Sequence, residues 1–197
     1  MNTNIIQFEK GVEKATELIK SGGVVACSTD TVYGLSCDPF CADAVDMVYK
    51  LKGREKNVPL LIVADKNYDI SDLVYVDQNT KKYLDKYWPC SVTFIFKIKD
   101  KRLLMLSCGK DTIAIRKPAD KNLEMLLQKC LLLTSTSANI SGQAPATNAQ
   151  QAKQYFDSKI AIVLDGGESK ALSSTIVDVS GGDIRVLRQG EVVVKNL

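Results

Sequence analysis

The 197-residue chain contains no histidine. Histidine is the commonest general base near neutral pH and the usual partner of a nucleophilic Ser or Cys. Its absence excludes Ser-His and Cys-His nucleophile pairs. Any catalysis must therefore depend on the positioning of substrates, on cationic side chains or on a metal ion.

Paired cysteines are also lacking. The six cysteines at positions 27, 37, 41, 90, 108 and 130 include no C-x-x-C pair, and zinc sites usually combine such pairs with histidine. We therefore expect no metal site built by protein side chains. Several thiols lie in apolar stretches, where Cys behaves as a small core residue, so we predict reduced, structural cysteines.

Long apolar runs and a strong charge excess are absent as well. No apolar run approaches the roughly 18 to 20 residues that span a bilayer, and the N-terminal segment lacks the basic-then-apolar order of a signal peptide. We therefore expect a cytoplasmic protein without membrane contact. A net charge of +3, from 26 basic and 23 acidic residues, is too small to indicate a dedicated nucleic-acid-binding protein, but it is compatible with a local basic cleft.

The common nucleotide-binding motifs are missing too. Gly109-Lys110 resembles part of a P-loop, but that motif needs Gly where this chain has Leu104 and Ser or Thr where it has Asp111. No G-x-G-x-x-G follows a predicted strand either. A bound nucleotide must be held by another arrangement.

The composition, with 45% hydrophobic and 25% charged residues, is that of an ordinary globular protein, and the length fits one domain over residues 1–197. Hydrophobic periodicity predicts a mixed α/β fold, a large twisted sheet with helices on its faces. The predicted helices span residues 8–21, 42–51, 79–87, 123–130 and 148–156, the last capped by Thr147. The predicted strands span residues 24–27, 59–63, 92–98, 103–106, 112–116, 131–134, 160–164, 175–179 and 184–187. Their irregular alternation with the helices argues against a TIM barrel.

Three polar segments follow these predicted elements. The first is the hydroxyl-rich run Ser28–Leu35 after a buried strand, a position where open α/β sheets bind ligands and where Ser and Thr also cap turns. The second is Lys52-Gly53-Arg54 at a helix end, where the two cations could clamp phosphates or simply favour the exposed helix terminus. The third is the run 134–142, whose hydroxyls and amides suit a ligand or a solvated turn.

In this order and spacing, the segments resemble the YrdC-like family, which carries T-x-T-V-Y-G-L, then K-x-R, then S-x-N. Further matching pieces are Trp88-Pro89, Ile113–Arg116, Asp165–Gly167, Ser173–Thr175 and Val186–Arg188 with Gly190. The resemblance extends over nearly the whole chain. Several separated motifs in fixed order are not expected from turn chemistry alone.

The resemblance implies a twisted, mostly parallel sheet around a basic concave cavity. It also implies the synthesis of threonylcarbamoyl-adenylate and pyrophosphate from L-threonine, bicarbonate and ATP, with Mg²⁺ and without a covalent intermediate. Separate partner proteins would then transfer the threonylcarbamoyl group to tRNA. We expect the single-domain form of the family, because the chain ends soon after the Arg188 motif.

Site residues are also implied by the resemblance. Lys52 and Arg54 would be catalytic through neutralisation of phosphate charge. The expected ATP-binding residues are Lys52, Arg54, Asn57, Thr112, Ser137, Asn139 and Arg188. The expected threonine-binding residues are Thr31, Arg116, Ser135 and Ser174, with Arg116 on the carboxylate.

The chain departs from the family pattern at two turns. It has Cys90-Ser91 where relatives have Gly-Pro, and Gln189 where they have Pro. Loss of these residues should loosen the turns near Thr93 and Arg188. A histidine that many relatives carry near the threonine pocket is also absent.

Two other functions are open. An RNA-binding or ribosome-maturation factor could use the same cavity, with weak binding of double-stranded RNA, but it should show a basic stripe with exposed aromatics. Both the small net charge and the 7% aromatic content argue against it. Carbamoyl transfer in metallocentre maturation usually involves further domains and zinc-finger motifs, which are absent here.

Overall fold

The computed structural model describes residues 2–55, 57–169 and 173–195. Within them, ten strands form one sheet in the order β1-β8-β2-β3-β7-β4-β6-β5-β9-β10. The strands are β1 Asn4–Gln7, β2 Val25–Cys27, β3 Gly34–Ser36, β4 Leu61–Ala64, β5 Val92–Lys97, β6 Thr112–Arg116, β7 Leu132–Ser137, β8 Ile162–Asp165, β9 Thr175–Asp178 and β10 Arg185–Arg188.

The sheet is mixed, as expected, but parallel pairing is not in the majority. Of the nine neighbouring pairs, β1-β8, β2-β8, β4-β6 and β5-β9 are parallel, and the other five are antiparallel. The expectation of a mostly parallel sheet is therefore wrong. Short connections such as the one between β2 and β3 join antiparallel neighbours and account for the difference.

Helices cover both faces of the sheet, as predicted. They are α1 Phe8–Lys20, α2 Ala42–Lys52, α3 Gln78–Tyr87, α4 Leu104–Ser107, α5 Lys121–Cys130 and α6 Ala149–Phe156. On one face, α1 and α5 pack with the Cys27 side of β2. On the other, α2, α3 and α6 pack over a larger core that includes Cys37. Each of the longer helices buries one apolar stripe, which is why the 3.6-residue spacing predicted all of them except the four-residue α4.

Two local predictions are wrong. Residues 103–106 are not a strand: a 3₁₀ turn Lys101–Leu103 leads into α4, and Leu103 and Leu106 are buried with helical spacing. The cap of α6 is Asn148, not Thr147, because the Asn148 side chain accepts a hydrogen bond from the Gln151 backbone N–H at 2.9 Å.

Two strands were missed by the sequence analysis, and one of them positions the site. Strand β3 begins at Gly34, inside the hydroxyl-rich motif, and pairs antiparallel with β2. Residues 28–33 are consequently a tight connection between paired strands. Within it, Thr29 Oγ1 donates to the carbonyl of Val32 at 2.7 Å and accepts from the Thr31 N–H at 3.1 Å.

No helix within the described ranges is both long and apolar enough to cross a membrane. All six cysteines lie in those ranges and all are free thiols, with Cys27 and Cys37 buried.

Candidate functional site

A cavity of about 500 Å³ lies over the half of the sheet formed by β7, β4, β6, β5 and β9. Alternate residues of β5 and β6, such as Thr93 and Arg116, face it, while their neighbours Phe94 and Ile115 point into the core. Residues of the 28–33 connection also contribute to its lining. Among the described residues, the lining contains three arginines and no Asp or Glu.

Four residues assigned to threonine line this one cavity, namely Thr31, Arg116, Ser135 and Ser174. They come from a loop, from β6, from β7 and from the segment before β9, so only the folded sheet brings them together. The close approach of β3 to β7 contributes, because a Cβ on Gly34 would lie 3.3 Å from Ser135 Oγ.

A smaller adjoining cavity of about 300 Å³ is lined by Lys52, Arg54, Ser137 and Asn139, four of the residues assigned to ATP. The two cavities share Arg54, Val58 and Ser137 in their linings. Together they form one candidate site with two ends, which we call the threonine end and the phosphate end.

Lys52 differs from the exposed helix-end cation that the sequence suggested. Its side chain is only 2% exposed, and its ammonium donates to the carbonyl of Ser137 and to the carbonyl and Oδ1 of Asn139, the last two at 3.2 and 3.1 Å. Burial, and then the charge of Arg54, lowers the pKa of Lys52 to about 8. Lys52 therefore fastens the end of α2 to the loop that follows β7.

The loop after β7 is itself tightly bonded. Ser137 Oγ donates to Asn139 Oδ1 at 2.6 Å, and Asn139 Nδ2 donates to the carbonyls of Ile140 and Gln143 at 3.0 and 2.8 Å. The S-x-N motif thus fixes the backbone at the phosphate end.

Arg54 is half-buried and lies over the ring of Tyr49, 5.4 Å from its centroid. Its Nη2 donates to the carbonyl of Val58 at 3.4 Å, whereas its buried Nε has no hydrogen-bond partner among the residues that the structure describes. Burial lowers the pKa of the guanidinium, which still stays charged at neutral pH. A cation with unused donors at a cavity wall suits a phosphate oxygen.

Arg116 is buried at the threonine end. Its Nη2 lies 3.0 Å from Asp30 Oδ1, and both side chains are less than a tenth exposed. Within the described part of the chain, the buried Nε of Arg116 has no hydrogen-bond partner. Since an unpaired buried donor costs free energy, this guanidinium is set up to receive an anionic ligand.

Arg188 and Ser174 meet at the far side of the cavity. Arg188 Nη2 donates to the Ser174 carbonyl at 2.8 Å, and Thr93 Oγ1 donates to Ser174 Oγ at 3.0 Å. The turn after Arg188 is fixed despite the missing proline. Gln189 Nε2 donates to Thr175 Oγ1 at 3.3 Å and to the Val192 carbonyl at 2.8 Å.

Two predicted ATP residues line neither cavity. Asn57 is exposed, and its N–H donates to the Glu55 carbonyl at 2.8 Å. Thr112 begins β6 on the same face as Ala114 and Arg116, but only the latter two line the threonine end. Their roles toward ATP stay predictions.

Three residues near the site carried no role in the sequence analysis. Asp30 and Ser91 are bonded to each other beside Arg116, with 3.2 Å between Ser91 Oγ and Asp30 Oδ2. Tyr33 is buried, and its hydroxyl contacts Asp165 Oδ1 at 3.0 Å and the Gly167 carbonyl at 2.7 Å. The motif membership of Tyr33 and Asp30 was a signal for both, whereas nothing in the sequence pointed to the Ser91 contact.

A larger cavity of about 690 Å³ lies elsewhere, between the loop after β4, α3 and Trp88. Its lysines, at positions 66, 81 and 117, are opposed by Asp69 and Asp85. Trp88 and Pro89 of the motif pieces line it, but none of the predicted site residues does, so volume alone does not locate the site.

The described residues offer few side-chain ligands for a metal ion. Within the described ranges, no group of three or more His, Cys, Asp or Glu side chains is arranged to hold one. The phosphate end offers hydroxyl and amide oxygens and no carboxylate, whereas Mg²⁺ usually binds one or two carboxylates together with substrate phosphates.

A family model and the relatives found by sequence comparison agree with each other. The Sua5/YciO/YrdC family model, described as telomere recombination, matches residues 17–190. A putative threonylcarbamoyl-AMP synthase of Methanocaldococcus jannaschii is 36% identical over 191 residues, which cover 96% of this chain and 90% of that protein. Another, from Mycobacterium tuberculosis, is 31% identical over 193 residues, which cover 97% and 89%.

Solved structures agree. Pyrococcus abyssi Sua5 complexed with L-threonine superposes with a TM-score of 0.89 at 28% identity, over 95% of this chain and 58% of that one. Escherichia coli YciO shares the fold, with a TM-score of 0.83 at 20% identity over 95% and 96% of the two chains. The present chain therefore spans less than two thirds of the Sua5 protein.

Proposed function

The chain belongs to the Sua5/YciO/YrdC family, and from this premise we propose that it is a threonylcarbamoyl-AMP synthase. In this proposal it forms threonylcarbamoyl-AMP and pyrophosphate from L-threonine, bicarbonate and ATP, for threonylcarbamoyladenosine in tRNA. The observation that carries the proposal is the continuity of the two ends: Arg54 and Ser137 line both. Relatives that bear this name match over about nine tenths of their length.

At the threonine end, the amino-acid carboxylate would bind the guanidinium of Arg116, whose buried Nε has no partner. Thr31, Ser135 and Ser174 surround the same space with hydroxyl groups, which can donate to or accept from the amino acid's polar groups. The P. abyssi relative was solved with L-threonine bound, which supports this choice of amino acid.

At the phosphate end, Arg54 would contact the phosphates of ATP directly. Lys52 would contribute its charge, but its donors are engaged by Ser137 and Asn139, so its main contribution is to hold the loop against which the phosphates lie. Arg188 lines the wall between this end and Ser174, where it can reach either substrate.

The reaction needs no side-chain nucleophile. The amine of threonine attacks the bicarbonate carbon and water leaves, which gives a carbamate. A carbamate oxygen then attacks the α-phosphate of ATP, and pyrophosphate leaves. The protein holds carbamate and phosphate in line and neutralises phosphate charge, which are the effects that dominate such transfers. Magnesium would enter with the ATP phosphates and add charge neutralisation there.

The wider assignments are part of the same proposal. We place residues 1–197 in a single YrdC-like domain, supported by one continuous sheet from β1 to β10. Three arginines and no carboxylates in the lining support a basic cavity. A cytoplasmic location and separate proteins that transfer the group to tRNA follow from the proposed chemistry.

The RNA-binding alternative is less well supported. Two of the cations, Lys52 and Arg116, are only 2% and 3% exposed, which leaves half-buried Arg54 and exposed Arg188 as the accessible ones. Phosphates of an RNA duplex cannot reach buried cations, because duplex recognition uses accessible basic side chains.

Pyrophosphate release tests the proposal. With ATP present, release should require L-threonine and bicarbonate together, because the nucleophile contains atoms of both. The Arg54→Ala variant should lose most of this activity, whereas Arg185→Ala, which removes an exposed arginine of β10, should retain it. Equal release without threonine would show a plain ATPase, and tight RNA binding without release would favour the alternative.

A further inference from the structure

Ser91 occupies a position where the family pattern has proline, and its hydroxyl makes a contact that proline could not. Ser91 Oγ donates to Asp30 Oδ2 at 3.2 Å. Both side chains are largely enclosed. The contact joins the loop before β5 to the connection between β2 and β3, segments that are 61 residues apart.

The same Asp30 carboxylate faces Arg116. Its Oδ1 lies 3.0 Å from Arg116 Nη2, but this pair lacks hydrogen-bond geometry, and Oδ1 has no hydrogen-bond partner in the described part of the chain. Among the described residues, the hydroxyl of Ser91 is therefore the one hydrogen-bond donor that fixes how the carboxylate is turned. A buried charge pair depends on such additional hydrogen bonds for its geometry.

Arg116 in turn has little else to orient it. Its Nε is buried without a partner, and no hydrogen bond from the described residues holds its guanidinium. The direction of its donors then depends on the electrostatic contact with Asp30. A planar guanidinium binds a carboxylate best when both parallel N–H groups face it.

We propose that Ser91 and Asp30 are positioning residues that aim the guanidinium of Arg116 at the carboxylate of the amino-acid substrate. Ser91 sets the orientation of the Asp30 carboxylate, and Asp30 sets that of Arg116. This inference rests on the proposed function, in which Arg116 receives the threonine carboxylate. It adds two residues to the amino-acid site, one of which is a departure of this chain from its family.

Ser91 makes one other contact of note: its backbone carbonyl accepts from the Thr175 N–H at 3.0 Å. A change to alanine keeps this backbone bond and removes only the hydroxyl. Ser91→Ala should therefore fold, whereas Asp30→Asn leaves a buried arginine without its counter-charge and is the riskier variant.

Calorimetric titration of L-threonine into the purified protein tests the inference. Ser91→Ala should bind L-threonine about threefold to tenfold more weakly, which is less than a direct hydrogen bond to a charged group is worth, because Ser91 acts on the substrate only through Asp30 and Arg116. Its KM for ATP in the pyrophosphate assay should stay within about twofold of the wild type. The matched control is Ser180→Ala, which removes a serine hydroxyl bonded to Asp178 at 2.7 Å, away from the cavity.

A second pair of variants separates positioning from general damage. In an Arg116→Lys background the planar guanidinium is gone, so adding Ser91→Ala should weaken L-threonine binding no further. Unchanged threonine affinity in Ser91→Ala would overturn the inference, as would an equal loss of ATP and threonine binding or a full additive effect in the lysine background. Wild-type protein that binds no L-threonine would overturn both this inference and the proposed function.

Discussion

Lys52 and Arg54 are separated by one residue but occupy different environments. Lys52 is enclosed and bonded to the loop after β7, whereas Arg54 is half-buried and keeps unused donors. The K-x-R motif in the sequence suggests that the two cations bind phosphates together. In the structure, one cation builds the pocket and the other is free to contact its contents.

Alanine variants should separate these two functions. Lys52→Ala leaves the carbonyls of Ser137 and Asn139 without their donor, which should cost about 1 to 3 kcal/mol of unfolding free energy and roughly 3 to 10 °C in Tm, together with activity. Arg54→Ala loses mainly a cation–π contact with Tyr49, worth about 1 kcal/mol or less, but should lose pyrophosphate release as severely. Thermal unfolding and the release assay measure both, and an unaltered Tm for Lys52→Ala would contradict the structural role of the lysine.

The lowered pKa of Lys52, about 8, predicts a pH dependence. As pH rises through about 8 the free enzyme loses this charge, so kcat/KM for ATP should fall at saturating threonine and bicarbonate. The stability effect has the opposite sign. The pKa of Lys52 is lower in the folded protein than in the unfolded chain, so between these two values the unfolded chain binds more protons. The contribution of Lys52 to the free energy of unfolding therefore rises as pH rises.

Activity should therefore decline above pH 8 while Lys52 itself contributes no loss of Tm. A rate profile and melting curves from pH 7 to 9.5 give the comparison. A flat kcat/KM over that range would show that the charge of Lys52 is not used.

Sequence motifs identify residues of the site, but they do not show the contacts between segments that are distant in the sequence. Thr31, Arg116, Ser135 and Ser174 belong to motifs and line one cavity, so motif matching found them. Ser91 was read only as a lost proline, because its contact with Asp30 depends on two loops that meet only in the folded sheet. The burial of Lys52 could not be predicted either, because no sequence pattern shows that the loop after β7 closes over the end of α2.

At the scale of elements, the apolar spacing in the sequence predicted the longer helices but not the shortest strands. Strand β1 has four residues at a sheet edge, and β3 has three residues inside a hydroxyl-rich motif. Neither is long enough to show the alternation that marks a strand. The strand expected at 103–106 failed because Leu103 and Leu106, three residues apart, suit one turn of helix equally well.

The turn after β10 offers a prediction at this scale. A Cβ at Gly190 would lie 2.2 Å from the Ser173 carbonyl oxygen and 2.4 Å from the Ser174 carbonyl carbon, so Gly190→Ala must separate this turn from the segment before β9. Because Arg188 binds the Ser174 carbonyl, activity should fall roughly ten- to hundredfold.

Gly181→Ala is the matched control for this change. Its Cβ would meet nothing closer than Arg185 Nη2 at 3.8 Å, an ordinary contact, and we expect near wild-type release of pyrophosphate. If both alanine variants were equally active, the approach of the turn to Ser174 would not matter for the site.

At the scale of the whole molecule, the sheet separates two cores. Cys27 lies in the core under α1 and α5, and Cys37 in the core on the opposite face. Burial raises the pKa of each thiol to about 12. Both should be unreactive in the folded protein, because the thiolate is the reactive form.

Pulse labelling with a thiol reagent along a urea series tests whether the two cores unfold together. In a single cooperative domain, Cys27 and Cys37 should become labelled at the same urea midpoint, while half-exposed Cys41 should react earlier and serves as a reference. Mass spectrometry of the labelled peptides reads each site. Labelling of Cys37 at clearly lower urea than Cys27 would show that the faces open separately and would contradict a single domain.

The order of strands in the sheet also constrains how the protein is made. Within the described ranges, strand β1, the first to be synthesised, pairs only with β8, and the two halves of the sheet are joined by β7, which lies between β3 and β4. The 131 residues that precede β7 therefore leave the ribosome before either half can be joined to the other. Pairings between such distant segments form slowly and leave apolar strands exposed in the meantime. Folding of the nascent chain should then wait for its last third, and until that point the emerging polypeptide exposes apolar segments that can aggregate.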